Sequence, residues 1–443
     1  MLSLRFNMWD MLDAPPLPGW TPTYDMAQST IIMPCNYSGW TDPRVFKNWG
    51  VVDFDWSNAR ALWSNASPMD CEERLLAQAT TVKASTPTAK VMVYRNMVKA
   101  LPWYTEVREK LLDPAYAGWF LTFREDGTAP PSMYNYSSPP CTGAKCSVFF
   151  HDQDQTPEHG GVNQCVGVCD CGEGLPCGEY LFDHRNASLR TWMINEFLLG
   201  AKYGLGNANV DGFYLDDSWS AASTKPFDPR TWNTCSNGPV GGASETEKHC
   251  SLDMGLTAQD VRNIAGNWSV TSAEAEAAVL SHGGATWGAS SIFRGTGARS
   301  ALVNDTVPNP STKEKCIAFH RQECTATSNS QTSAYIFELT RNAFHYPFGE
   351  NGKTALPWPE QDTASFLLTR GKFAWIGHNW MGCMSNDDWI PYLRPAQLDV
   401  DYGTPVDALC TETAPNSGIF KREWSKADVT MDCNTWEATI AMK

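Results

Sequence analysis

Residues 210–219, VDGFYLDDSW, run from an apolar, aromatic segment into two adjacent carboxylates and a Trp. Side chains of a strand alternate between its faces. Val210, Gly212, Tyr214 and Asp216 therefore share one side, and Asp211, Phe213, Leu215 and Asp217 the other. Paired acids at the end of a buried strand repel each other and lose hydration. That arrangement suits chemistry in which one carboxyl holds a proton and another stays ionised, as in cleavage of a glycosidic bond.

Other acids stand at the ends of other apolar runs. GVVDFDW (50–56) carries Asp53 and Asp55, GEYLFDH (178–184) carries Asp183 beside His184, and QLDVDYG (397–403) carries Asp399 and Asp401. Asp183 and Asp399 also suit helix N-caps, and Asp53 and Asp55 suit ion pairs or contacts with sugar hydroxyls. Asp216 fits a purely structural role least. The catalytic expectation is Asp216, with Asp217, Asp183 and Asp55 as alternatives for the second carboxylate. Candidate substrate contacts are Asp55, Trp56, Tyr94, Arg95, Asn96, His184, Tyr214, Trp219, Trp287, His378, Trp380 and Asp401.

These residues need a scaffold that gathers strand ends. STIIMPCN (29–36), GVVDFDW, KVMVYRN (90–96), GEYLFDH, VDGFYLDD, GGATWGAS (283–290), KFAWIGHNW (372–380) and QLDVDYG read as strands. Helical periodicity covers 69–85, 103–112, 187–203, 257–267, 271–281 and 362–371. Short apolar strands alternating with helices imply a parallel sheet. The pattern predicts an α/β fold, a (β/α)8 TIM-like barrel over 29–403 with an extended arm over 1–28. Loop insertions fall at about 122–178 and 219–253, and 404–443 form a small β appendage on the barrel. Active sites of such barrels lie at the carboxyl ends of the strands. A doubly wound sheet is the alternative, but no Gly-rich phosphate turn follows any strand.

Composition limits the partners. The net charge of −15 disfavours nucleic acid and anionic membrane surfaces. No apolar run reaches the roughly 20 residues that span a bilayer. A neutral ligand such as a poly- or oligosaccharide fits, and the 19 Trp supply ring faces for pyranoses. No H-x-x-x-H, H-x-H or G-x-S-x-G motif occurs, and no cofactor is expected. His151, Asp152 and Asp154 could hold a cation but read as a solvated loop. The 15 Cys, with Cys146, Cys165, Cys169, Cys171 and Cys177 clustered in one insertion, point to disulfides and a secreted protein. An odd count leaves at least one thiol unpaired. Six N-x-S/T acceptors, at Asn36, Asn65, Asn135, Asn186, Asn267 and Asn304, agree with export, although no signal peptide is visible at the start.

VDGFYLDD resembles the nucleophile strand of the family 31 glycosidases, a V-D-G-I-W-I-D-M-N-E type run. Asp216 falls on the nucleophile, Asp217 replaces Met, and Ser218–Trp219 replace Asn-Glu. More widely the chain resembles glycosidase-like barrels of unknown substrate. The shared features are D-G-F-x-L-D-D, a preceding D-x-x-N (Asp183, Asn186) and the tail DYGTPVDALC…GIFKREW (401–424). The resemblance implies a barrel that acts on a glycan. The contrasting expectation is a glycan-binding or extracellular-matrix protein on a degenerate, non-catalytic barrel.

Overall fold

A computed structural model describes residues 20, 23–32, 36, 38–42, 48–122, 151–152, 170–175, 177–217, 219, 258–288, 293–294, 310–332, 334–339, 358–378 and 394–443. Trp380, most of the 122–178 insertion, nearly all of 219–253 and most of the N-terminal arm lie outside them.

One sheet organises the larger part of the chain. Its strands are β1 (Ser29–Ile32), β2 (Trp49–Phe54), β3 (Lys90–Asn96), β7 (Gly212–Asp216), β8 (Ala285–Gly288), β9 (Phe293–Arg294), β10 (Ala334–Glu338) and β11 (Ala374–His378). They pair in the order β8-β7-β3-β2-β1-β11-β10-β9, every pairing parallel. From β1 to β8, and again from β9 to β11, each strand lies beside its predecessor, and β11 returns to pair with β1. The winding never reverses, as it must at the switch point of a doubly wound sheet. A sheet wound one way that brings its last strand back to its first is curled. Four residues separate β8 from β9. That is too few for a helical crossover, so the two segments share one strand position and the curled sheet has seven.

Local sequence explains the elements. β2 and β3 have apolar centres, Gly50–Val52 with Phe54 and Val91–Tyr94, and are almost wholly buried, as strands covered on both faces require. Helix α2 (Cys71–Ser85), after the short α1 (Arg60–Trp63), buries Cys71, Leu75, Gln78, Ala79 and Val82 along one stripe. Glu72 and Glu73 sit in its first turn and Lys83 in its last, which complements the helix dipole. Gly212 opens β7 where a Cβ would lie 2.2 Å from the Ala285 carbonyl, so only glycine lets β7 approach β8.

Further helices are α3 (Thr105–Leu112), α4 (Ala187–Trp192), continued by a π-helical stretch Met193–Leu198, and α5 (Ala258–Ser281). The two helices expected at 257–267 and 271–281 are thus one. Helix α6 (Pro310–Glu323), α7 (Asn329–Thr332) and β10 were not anticipated, and α8 (Pro359–Thr369) leads into β11. GEYLFDH contributes β6 (Glu179–Leu181) not to the barrel sheet but to a small antiparallel one, β4-β6-β5, with β4 (Lys99–Ala100) and β5 (His151–Asp152). QLDVDYG is a 3-10 turn (Ala396–Asp399) and extended chain rather than a strand.

An antiparallel sheet, β12 (Thr411–Glu412), β13 (Ile419–Glu423), β14 (Ala427–Asp432) and β15 (Glu437–Met442), packs on α8. Disulfides Cys316–Cys433 and Cys324–Cys410 tie it to α6 and the turn after it, and Cys171–Cys177 closes a loop. Cys71 is free and buried.

Candidate active site

Register places the chemistry on one face. Asp53, Met92, Gly212 and Ala285 align across β2, β3, β7 and β8; two residues further Tyr94, Tyr214 and Trp287 align; Asn96 then aligns with Asp216. The opposite parity holds Val52, Phe54, Val93, Phe213 and Leu215, all buried. Arg95 belongs to that parity, and it reaches the carbonyls of Phe197 and Tyr203, so that side faces the helices. The acids and the rings of Tyr94, Tyr214 and Trp287 therefore face the interior of the curl. Tyr94 and Tyr214 stack at 6.2 Å, and Trp287 lies 6.1 Å from Tyr214, a continuous aromatic row across three strands.

Above this row the Tyr94 hydroxyl donates to Asp216 Oδ2 at 2.7 Å. The Asn96 amide is fixed by its oxygen, which accepts from the backbone N–H of Val98 (2.8 Å) and Lys99 (2.6 Å). Its nitrogen is thereby aimed at the Tyr94 hydroxyl oxygen and at Asp217 Oδ2, both at 2.8 Å. Strand parity would send Asp217 to the helix side, but its φ of 60° turns it back toward Asn96. Lys99 Nζ lies 3.7 Å from Asp217 and 2.6 Å from Glu179.

Asp53 and Asp55 belong to β2 and the residue just after it, two strands from Asp216. Burial holds the Asp53 carboxyl well above the ordinary range, and Asp55 adds to the effect. Neither Asp53 oxygen has a hydrogen-bond partner among the described residues. Burial pushes Asp55 up to about 6, against the opposing hydrogen bonds from the Ser57 hydroxyl and from its amide (2.8 Å). Burial and then Asp217 raise Asp216, while the Tyr94 hydrogen bond and Lys99 pull it back. Burial, followed by the Asp216 charge, raises Tyr94 as well, so its phenol remains a donor. The face thus holds two carboxyls whose burial favours the protonated form beside another with a dedicated hydroxyl donor.

Several expected contacts are elsewhere. Arg95 stands among Tyr104, Phe197 and Phe213, with Glu72 at 3.4 Å, and is buried structural charge. Asp183 follows β6, outside the barrel sheet, and is bound by Arg185, which also holds Asp260. His184 is fully buried, donates from Nε2 to the Met97 carbonyl at 2.6 Å, and is lowered to about 4 by burial, so it stays neutral. His378 pairs in register with Ile31, and Ile31 with Val52, which puts it on the helix side, 5.7 Å from the Trp49 ring. Asp401 is exposed and paired with Lys426 beside the appendage. Trp56 is half-buried against Trp63 and Trp103, and Trp219 is buried past the end of β7. One acid escaped notice. Glu338 ends β10 in register with Gly377, which aligns with Thr30 and then with Val51, the residue two before Asp53 on β2.

Among the described residues no three acidic side chains bring oxygens within 4.8 Å of one another. The one group that meets that spacing, Cys316, His320 and Cys433, contains a disulfide. The acids are spread around the curl, not gathered on a point.

No protein-family model and no curated protein matches the chain. Among solved structures it is similar to trehalose-6-phosphate hydrolase of Bacillus licheniformis (10% identity, TM-score 0.37, 80% of this chain and 64% of that one). It is also similar to isomaltulose synthase of Klebsiella sp. LX3 (12%, TM-score 0.40, 80% and 65%). A "Family GH13_31 enzyme" is a third (10%, TM-score 0.36, 93% and 92%). The chain spans less than two thirds of the length of the first two. At these identities the likeness assigns no role to any residue, and the family 31 resemblance of residues 210–219 finds no support in it.

Proposed function

We propose that the protein is an extracellular glycoside hydrolase on a (β/α)8-type barrel that cleaves a glycosidic bond with two carboxylates. The observation that carries this reading is the half-buried Asp216, held by the Tyr94 hydroxyl at 2.7 Å on the face that also carries Asp53 and Asp55. A carboxylate held by a phenol donor is suited to attack an anomeric carbon or to take a proton from water. Asp55, pushed up to about 6, is suited to give its proton to the departing glycosidic oxygen. One water is consumed and one bond is broken; attack by Asp216 itself adds a covalent intermediate that the water releases. Asp217 acts through Asn96 as a positioning residue, and the rings of Tyr214 and Trp287 offer faces to a pyranose. Glu338, which ends β10 in register with Gly377, is the other acid to test. The three disulfides favour an oxidising compartment.

The test is release of reducing ends from a panel of glycans by wild type, Asp216→Asn, Asp55→Asn and Glu338→Gln. Asp216→Asn should lose activity on every substrate cleaved. A wild type that binds glycans but cleaves none would establish a binding protein on the same fold.

A further inference from the structure

A second cavity lies outside the barrel mouth. About 260 Å³ in volume, it is lined by Lys110, Tyr116, Trp119, Ser188, Thr191, Trp192, Asn195 and Glu196, from α3, the turn after it, and α4 with its π-helical continuation. We infer that this cavity binds one ring of a neutral glycan, as an accessory site separate from the acids on β2 and β7.

The aromatic wall is preformed, and its half-exposed ring is Tyr116, which lies 4.5 Å from Trp119; Trp119 lies 5.3 Å from Trp192, and both indoles are largely buried. The Trp119 indole is held by its N–H to Ser188 Oγ at 2.8 Å, and Ser188 is in turn tied to the Asn186 cap. The polar rim is made by a backbone irregularity. A π-helical stretch, Met193–Leu198, interrupts α4 and carries Asn195 and Glu196 to the rim below Trp192. Its end is enforced by Gly200, where a Cβ would lie 2.2 Å from the Glu196 carbonyl oxygen. Such stretches give up regular hydrogen bonding and concentrate at functional sites. Asn195 and Glu196 are exposed and make no side-chain hydrogen bond to another described residue.

Chemistry narrows the ligand. Lys110 and Glu196 balance in charge, and the Lys110 ammonium sits 4.3 Å over the Tyr116 ring, so no cationic pocket for phosphate or sulfate forms. A purely apolar ligand would strand the amide, carboxylate and hydroxyl of the rim. A sugar offers C–H faces to the rings and hydroxyls to Asn195, Glu196 and Thr191. The volume falls just under the ~300 Å³ where drug-sized sites begin, which suits one ring of a chain passing over the surface. The choice of ligand class rests on the glycan reading above; the site itself does not.

Native gels containing laminarin, soluble starch, hydroxyethylcellulose or xylan test this with the full chain. Wild type and Asp216→Asn should be retarded alike by at least one polysaccharide. Tyr116→Ala and the surface double variant Asn195→Ala/Glu196→Gln should be retarded at least fivefold less, with unchanged melting. Equal retardation of these variants and wild type, no retardation of wild type in any gel, or loss of retardation in Asp216→Asn alone would each overturn the inference. Tyr116-dependent retardation by a wild type that cleaves nothing would remove the hydrolase reading and leave this site standing.

Discussion

Two of the places where the molecule buries charge treat it in opposite ways. At the junction of α8 and the appendage, Arg422 lies inside the protein, and every one of its guanidinium nitrogens has a carbonyl partner. It donates to Leu367, Leu368 and Arg370, which end α8, and to Asp407 and Ala408. Arg370, beside it, donates to Thr23, Tyr24 and Ala374. Burial lowers them to about 10 and about 9, still charged at neutral pH, and Arg422 caps orphan helix carbonyls and meets the negative end of the dipole. At the mouth of the curl, by contrast, Asp53 has no side-chain partner for either oxygen among the described residues, only the Phe54 amide to offset its burial, and Asp55 and Asp216 have one or two donors each. Buried charge with its partners supplied holds the fold. Buried charge short of partners costs stability, and proteins keep it where chemistry uses it.

The largest expected effect lies at the mouth. Asp216→Asn keeps an oxygen for the Tyr94 hydroxyl but loses the negative charge. Turnover should fall at least ~10³-fold, about 4 kcal/mol of barrier, while the melting temperature holds or rises because a repelling charge beside Asp217 is gone. Reducing-end assays and thermal melts on one preparation give both values. A parallel loss of fold and activity would make Asp216 structural and erase the contrast.

Arg422→Met should do the reverse. The carbonyls of Leu367, Leu368 and Arg370 would lose a shared donor, at a cost of about 3–5 kcal/mol in urea unfolding. Turnover of the folded fraction should stay within a factor of two or three of wild type. A normal unfolding midpoint would mean that water replaces the guanidinium, and that the junction is looser than its hydrogen bonds indicate.

Much of this contrast was legible in the sequence, and the illegible parts have physical causes. β3 was readable to the residue because its apolar run VMVY is bounded by Lys90 and by Arg95 and Asn96. Alternation put Tyr214 and Asp216 on one face before any coordinates. The same alternation would have sent Arg95 to the helix side, since it shares parity with Val93, but an Arg next to Tyr94 reads as a ligand contact until its Glu72 partner is seen. QLDVDYG alternates like a strand yet has none to pair with, because Asp401 and Gly403 make a turn there. α6 and β10 were missed because KEKCIAFHRQE has only a faint apolar stripe; the Cys316–Cys433 disulfide, the His320–Phe420 stack and the Arg321–Glu412 pair bind α6 to the appendage. With β10 unread, Glu338 went unnoticed. Nothing local announces the left-handed Asp217 or the π-helical stretch of α4.

The pH dependence sharpens the comparison next. Asp55 titrates at about 6 in the folded protein against an ordinary value of 3.8. The folded state therefore binds more protons than the unfolded between those values, and stability falls as pH rises through that window. The slope should be on the order of 1 kcal/mol per pH unit for each such group. Urea midpoints of wild type should drop from pH 4 to pH 6, and Asp55→Asn should make that drop smaller, while the raised Asp53 and Glu72 continue to lower stability in both proteins. If Asp55 is the proton donor, turnover of the wild type should also decline above about pH 6. An arginine-dominated protein would show no such acid preference, since Arg370 and Arg422 stay charged throughout.

Asp53→Asn carries the smallest expected effect and the most specific one. Asp53 is fully buried, one strand position below the aromatic row, with both oxygens unpartnered and Asp55 as its nearest repelling acid. If its carboxyl served the fold, removal would expose a missing partner and cost stability, as Arg422→Met does. No such partner exists among the described residues, so the neutral amide should be tolerated and gain about 1 kcal/mol at pH 7. The gain must vanish near pH 4, because a protonated Asp53 and an Asn carry the same charge. Below the ordinary aspartate value of 3.8 the two proteins should unfold at the same urea concentration. Asp53 also raises nothing in its neighbour if it stays protonated, so the wild-type and Asp53→Asn pH profiles of turnover should superimpose. A shifted profile would show that Asp53 ionises in the working range and shares its proton with Asp55. The pair would then titrate as one unit, and the second catalytic carboxylate would be that pair.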